Sequence, residues 1–297
     1  MMRSFRSEWV KLARWRQFLA VWGVMIGIML LFTTLIFANA AAPEPAPAAC
    51  TTPVNGTVDQ AACSAAIAAQ QRENQRRGPL VPIKDLEKPT GLTGVLRFGG
   101  NVLGIITLVL FAGNLAGEYG NATLKMLLVR DPRRLQLLSG KLLALYSFAA
   151  LGILLAAGAE MGVASLIASL RSFDTSQWWT AQNLMDTGAF ILRILGGASV
   201  WAALGTLLAI LLRSGPAAIG IGIAYVIVGE GLLSLALPDV VRYLPGSVIS
   251  AFEAYGVANA NQENPISFGV AAVLLVAYLA GFLVVSGGTF WRRDVGS

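Results

Sequence analysis

The sequence predicts an all-α integral membrane protein: six transmembrane helices, a short cytoplasmic helix between spans 2 and 3, and a long outer loop between spans 1 and 2. Three observations carry this. The chain has 297 residues, 56% of them apolar, and a mean hydropathy of +0.66, well above that of a soluble domain. Apolar runs of about 20 residues recur, each long enough to cross the hydrocarbon layer as a helix. The net charge is +6, and its basic residues collect in short flanks between alternate runs. That is a membrane-topology pattern and not a nucleic-acid-binding face. The sequence has no histidine, which excludes His-based acid–base catalysis and imidazole metal ligands; two cysteines alone make a poor metal site.

The whole chain, 1–297, reads as one transmembrane domain. Residues 1–17 hold Arg3, Arg6, Lys11, Arg14 and Arg16 against a single acid, Glu8. Phe5, Trp9 and Leu12 fall on one helical face, so this segment is expected to rest on the membrane surface with its basic groups toward lipid phosphates. The apolar run 18–37 is too long for the core of a signal peptide and reads as a retained span 1 with a cytoplasmic N-terminus. Residues 39–95 form the outer loop. Its opening, Ala41-Ala42-Pro43-Glu44-Pro45-Ala46-Pro47, is expected to be extended, because proline cannot donate within a helix or ladder. Both cysteines, Cys50 and Cys63, lie here. On an oxidising outer side they are expected to form a disulfide, which would stabilise by about 3 kcal/mol in the chain-entropy description; two free thiols are the alternative. The mixed charges from Arg72 to Lys88 read as a solvated face.

Span 2 is expected over 98–116, span 3 over 140–170, span 4 over 188–212, span 5 over 217–237 and span 6 over 267–290. Trp178-Trp179, in the outer loop 171–182, suggests an interfacial aromatic pair. Arg213-Ser214-Gly215-Pro216 reads as a tight inner turn with Gly-Pro as the breaker. In the loop 238–265, Val240, Val241, Leu244, Val248 and Ile249 suggest a shallow amphipathic or re-entrant piece. Lys and Arg outnumber Asp and Glu in the segments assigned to the inside, so both termini are expected in the cytoplasm.

The polar interruption 117–134, running on into Leu138-Ser139-Gly140-Lys141, organises the rest. Asn121 or Thr123 can cap a short helix, with Glu118 placing negative charge at its positive end. Leu124, Leu127 and Leu128 share one face by i, i+3, i+4 spacing, while Lys125 and Arg130 fall off it. Asp131-Pro132 ends that helix and starts the next. The product is a short helix across the foot of two spans, shaped to be touched by something in the cytoplasm.

These residues resemble the permeases of the ABC-2 type transporter family. Their motif runs Glu-x-x-x-Gly/Ala-Thr-Leu-x-x-Leu-Leu, then Pro-x-x-Arg, then Gly-Lys before the third span. Here it reads Glu118, Ala122-Thr123-Leu124, Leu127-Leu128, Pro132, Arg134 (one residue early) and Gly140-Lys141. Ala122 stands where Gly is frequent. Span number and order extend the resemblance over nearly the whole chain, but only this stretch carries identities.

The resemblance implies a coupling helix within 117–134. Its contacts to a separate ABC ATP-binding subunit would come from Glu118, Tyr119, Thr123, Leu124, Leu127, Leu128 and Arg134. It also implies a multi-pass protein of the bacterial inner (plasma) membrane that works with a second permease copy or a homologous permease in the lipid bilayer, without nucleic acid. No cofactor is expected on this chain; ATP and Mg would be held by the partner ATPase. The chain is thus expected to be a transport subunit and not an enzyme, and export is the family expectation.

The residues themselves leave two classes open. No Gly-x-x-x-x-Gly-Lys-Ser/Thr phosphate loop occurs, since Ser139-Gly140-Lys141 lacks the first glycine and is followed by Leu142. Ionisable side chains within spans are Glu160, Arg193 and Glu230, candidates for a pathway or for helix-fixing pairs. A secondary transporter running on ion gradients through Glu160 and Glu230 is the alternative to an ATP-driven permease. An intramembrane enzyme is weaker still, since no catalytic set is recognisable. Helix rise places Glu160 and Arg193 at similar depths on adjacent antiparallel spans, which predicts an ion pair between them with Glu230 nearby.

Overall fold

The computed structural model describes residues 5–6, 9–10, 15–41, 60–77, 81–88, 91–120, 134–255 and 266–292. The apolar runs become helices α1 (Trp15–Ala38), α4 (Gly91–Gly120), α5 (Arg134–Leu170), α6 (Ala181–Leu212) and α11 (Phe268–Arg292). The remaining span, Gly215–Ala236, is broken. Helix α7 (Gly215–Ala224) passes through a π-helical turn, Tyr225–Gly229, into α8 (Glu230–Ala236). Six stretches are therefore long and apolar enough to cross a membrane. Shorter helices are α2 (Gln60–Arg77), α3 (Ile83–Glu87), α9 (Pro238–Val241) and α10 (Pro245–Ala254). The strand pairing among the described residues is a parallel contact of two residues each, Ala40–Ala41 with Val81–Pro82.

Several helices begin before their apolar runs. Helix α4 starts at 91 instead of 98, and α6 at 181 instead of 188. In α4 the extra turns bury Leu92, Val95 and Leu96 on the face that continues to Leu103, so i, i+3, i+4 packing carries the helix past the hydropathy boundary. Thr180 caps α6 by accepting from the Asn183 N–H at 3.3 Å. At the far end of α6 the breaker is Arg213, in the left-handed region at φ 54°, with its N–H bonded to the Ala209 carbonyl. Pro216 opens α7, where a missing N–H is harmless.

The spans pack as two overlapping groups. Trp22, Met25 and Met29 of α1 meet Phe148 and Ile153 of α5; the Trp22 and Phe148 ring centroids are 5.1 Å apart. The Trp22 indole N–H donates to the Phe148 carbonyl at 3.3 Å. The N-terminal segment joins this group, since Trp9 stacks on Phe5 and meets Phe148 edge-on at 6.0 Å. The second group is built on α4 and α6. A Cβ at Gly205 would lie 2.5 Å from the Leu108 carbonyl oxygen, and one at Gly104 would lie 2.3 Å from the Trp201 ring. These glycines let the two backbones approach as bilayer helices must when no hydrophobic force joins them. Large apolar side chains on the α7–α8 and α11 surfaces, among them Ile227, Leu232, Leu235, Val273 and Val284, are exposed; such a surface suits lipid.

At the end where α5 gives way to α6, the expected Trp178-Trp179 pair divides. Trp178 is fully buried, its indole N–H donating to the Leu86 carbonyl at 2.8 Å, while Trp179 is 51% exposed. Arg171 donates to the Phe37 carbonyl at the same end. Cys63, on α2, is disulfide-bonded; Cys50, the other cysteine of the chain, and the proline-rich opening after Ala41 lie outside the described residues.

The α4–α6 contact should be intolerant of a single methyl. Gly205→Ala should destabilise by about 1–3 kcal/mol through overpacking against Leu108, lowering the thermal midpoint of detergent-solubilised protein. Gly23→Ala, where a Cβ meets nothing within 4 Å, should leave it unchanged. Equal midpoints for both variants would refute the close approach.

Candidate functional site

Glu118 lies in the last turn of α4 and Lys141 in the second turn of α5. Their side chains meet, Lys141 Nζ donating to Glu118 Oε1, with side-chain exposures of 1% and 6% for Lys141 and Glu118. The pair joins the two helices that flank residues 121–133. Glu118, expected from the family motif to face a partner protein, is thus turned into the bundle and positions the helix ends. Tyr119 packs half-buried on the cluster of Leu115, Leu138 and Phe290. Thr123, Leu124, Leu127 and Leu128 lie outside the described residues, and Arg134 opens α5.

The expected Glu160–Arg193 ion pair is not formed. Glu160 is fully buried on the α1 side of α5, its Oε1 3.0 Å from Thr33 Oγ1. Thr33 Oγ1 is also 3.0 Å from the Met29 carbonyl. One hydroxyl has one proton. Thr33 Oγ1 thus faces two acceptors, the Glu160 carboxylate and the Met29 carbonyl, and its single proton is shared between them. Arg193 faces elsewhere. It donates from Nη1 to the Tyr255 carbonyl and from Nε to the Ala189 carbonyl, and its guanidinium lies 5.7 Å and 5.8 Å from the Phe190 and Tyr255 rings. The sequence argument measured height along the axes. Azimuth decided the outcome, because α5 packs chiefly on α1 and α6 chiefly on α4.

Glu230 is a helix cap. Sitting just after the π-helical turn, it accepts from Tyr225 Oη at 2.7 Å, from the Gly246 N–H at 2.7 Å, and from the Ser247 N–H at 3.0 Å. Gly246 and Ser247 are in the first turn of α10, whose N–H groups have no partner within the helix and whose dipole favours an anion. Glu230 therefore anchors α10 to the break in span 5. Among the described residues it pairs with neither Arg193 nor Glu160.

Sequence reading missed one residue here. Glu253, on α10, is 4% exposed. Its oxygens fit against α4 and α6, where a Cβ at Gly197 would lie 2.5 Å from Oε1 and a Cβ at Gly100 would lie 3.4 Å from Oε2. Burial pushes its pKa up to about 8, against the opposing pull of Arg97 and Arg193. The available signal was position. Glu253 lies four residues after Ile249, a residue on the buried face, so it is a lone acid on an apolar stripe. Of the five apolar residues that suggested a re-entrant piece, Val248 and Ile249 are buried and Val240 is 52% exposed.

The chain matches the family described as "Protein of unknown function (DUF2705)" over residues 84–296, and it belongs to that family. No curated protein matches it. The matched stretch holds the Glu118–Lys141 pair, the Glu230 cap and Glu253, whereas Thr33 precedes it.

Removing one member of a buried pair strands the other charge, at about 3–5 kcal/mol. Glu118→Gln and Lys141→Met should each lower folded yield and thermal midpoint strongly, and the double variant should recover much of the loss. Additive losses would show that the two groups act separately.

Proposed function

We propose that this member of the family is the membrane-spanning permease subunit of an ABC-2 type transporter, exporting its substrate across the bacterial plasma membrane. ATP and Mg are bound and hydrolysed by a separate ABC subunit, and a second permease copy or homologous permease completes the assembly. The observation that supports this most is the run from Glu118 to Lys141. Its Thr-Leu-x-x-Leu-Leu core sits between two spans, and the residues at its borders, Glu118 and Lys141, are ion-paired inside the bundle. A segment that transmits force needs such a fixed base, because motion applied to a loosely tethered loop would be dissipated before reaching the spans. The residues to meet the ATPase are the apolar face Leu124, Leu127 and Leu128, with Tyr119, Thr123 and Arg134 around it; an amphipathic helix docks by such anchors. Glu118 acts from behind as a positioning residue.

Leu127→Asp should leave the permease in the membrane at wild-type level and abolish co-purification of the ATPase together with stimulation of its turnover. If both survive, residues 121–133 are an ordinary loop. For orientation, a reporter active only in the cytoplasm should be active when fused after Arg293 and silent when inserted near Gly56. The reverse pattern would overturn the assignment of the coupling segment to the cytoplasmic side.

The burial of Glu160 favours a second reading, an ion-coupled secondary transporter, because a carboxyl buried within a span is the kind of group that proton coupling uses. Proteoliposomes containing this chain alone separate the two. Uptake driven by a pH gradient without ATPase, lost in Glu160→Gln, would favour the second reading over the first.

A further inference from the structure

Helix α10 packs on three spans, α4, α6 and α11. Its apolar side, Val248, Ile249 and Ala251, joins Val200 and Trp201 of α6 and Ala271 and Leu275 of α11. An acid has no ordinary place in such a seat, yet Glu253, in the last turn of α10, is buried beside it. Helical side chains lean back over the preceding turn. That direction carries the carboxyl group into the notch opened by Gly100 and Gly197, where any side chain on Gly197 would strike it.

The charges around this seat do not neutralise Glu253 by contact. From α4 comes Arg97 and from α6 Arg193, both acting at a distance. Arg193 is itself engaged with the Tyr255 and Ala189 carbonyls and feels Asp186 on its own helix. On the α10 side the neighbouring titratable group is Tyr255, whose ring stacks on Phe268 of α11 at 4.3 Å. Tyr278 of α11 is turned away, donating to the Tyr243 carbonyl. No ion pair joins Glu253 to either arginine among the described residues.

We propose that Glu253 is a proton-binding site that latches α10: as the neutral acid it seats in the Gly100–Gly197 notch, and as the carboxylate it is expelled and α10 lifts off α4 and α6. The step is a proton transfer alone. The carboxyl O–H breaks, the proton passes to water reaching the seat, and the electron pair stays on the carboxylate oxygen. Glu230 keeps the other end of α10 tethered throughout, so the motion is a hinge about Gly246 and Ser247. The inference rests on the α10 geometry and is independent of the permease reading.

The sign follows from linkage. The seated acid titrates near pH 8, and a hydrated glutamate near 4.3. Between these values the seated form holds more protons, so seating is strongest below the lower value, weakens as pH rises through the window, and is constant above it.

The test is hydrogen–deuterium exchange on the full chain in lipid nanodiscs at about pH 6 and about pH 9.5. The ratio of α10 protection to α4 protection removes the intrinsic pH dependence of exchange. In wild type this ratio should fall by about tenfold or more. It should be independent of pH in Glu253→Gln, while Glu160→Gln should respond as wild type does. A constant wild-type ratio, or a fall in Glu253→Gln equal to that of wild type, overturns the proposal. Infrared spectra of Glu160→Gln, which lacks the fully buried carboxyl of α5, give a second reading. Its carbonyl band from protonated carboxyl groups should lose intensity as pH rises through about 8, and a band unchanged over that range is equally fatal.

Discussion

The close approach of α4 and α6 is the constraint on which the other arrangements depend. Gly205 brings the α6 backbone onto the Leu108 carbonyl, and Gly104 admits Trp201. With the two axes that near, a third helix can lie against both, and α10 does. The same approach aligns Gly100 with Gly197, one on each wall. At the other end, α4 delivers Glu118 to Lys141 of α5. Bulk at Gly205 would therefore be felt in two places far from the substitution, since a packed interior transmits strain instead of absorbing it.

A short helix can be held among membrane spans only if its polar ends are satisfied, because hydrocarbon offers no water to the free N–H groups of a first turn. The break in span 5 answers this. A π-helical turn inserts an extra residue per turn and shifts the face presented by everything after it. Here it turns Glu230 toward Gly246 and Ser247 and lets Tyr225 add its hydroxyl to the same carboxylate. The break in one helix thus supplies the cap of another.

Much of this was legible in the sequence, in proportion to how one-dimensional each feature is. Six apolar runs in order depend on composition along the chain, whereas most of the polar interruption, 121–133, lies outside the described residues. Helix starts were misplaced because hydropathy marks where lipid contact begins, while Leu92 and Val95 continue the helix by packing on protein. The Glu160–Arg193 pairing failed for lack of azimuth. Rise per residue gives depth, but which face of α5 meets α1 is set by many side chains at once. Thr33 was invisible for a related reason, since a threonine in an apolar helix ordinarily bonds back to its own turn and gives no sign of a second partner. Lys141 was noticed as part of a motif, but its pairing with Glu118 needed the two helix ends side by side.

The four acids illustrate how an interior can hold a group it disfavours, and the solutions differ in how reversible they are. Glu118 has a lysine ammonium, and separating the two exposes both charges to a low dielectric. Glu230 has a helix N-terminus whose dipole and N–H groups are built into the backbone and cannot leave without unwinding α10. Glu160 has the Thr33 hydroxyl, which donates to one of its two oxygens. Each of these meets a partner of defined geometry on at least one carboxyl oxygen. Glu253 has only space, provided by two absent side chains. A void shaped to a neutral carboxyl offers the ionised form only the distant pull of Arg97 and Arg193, and for that reason the state of this one residue can be changed by a proton without an ion pair having to be broken first.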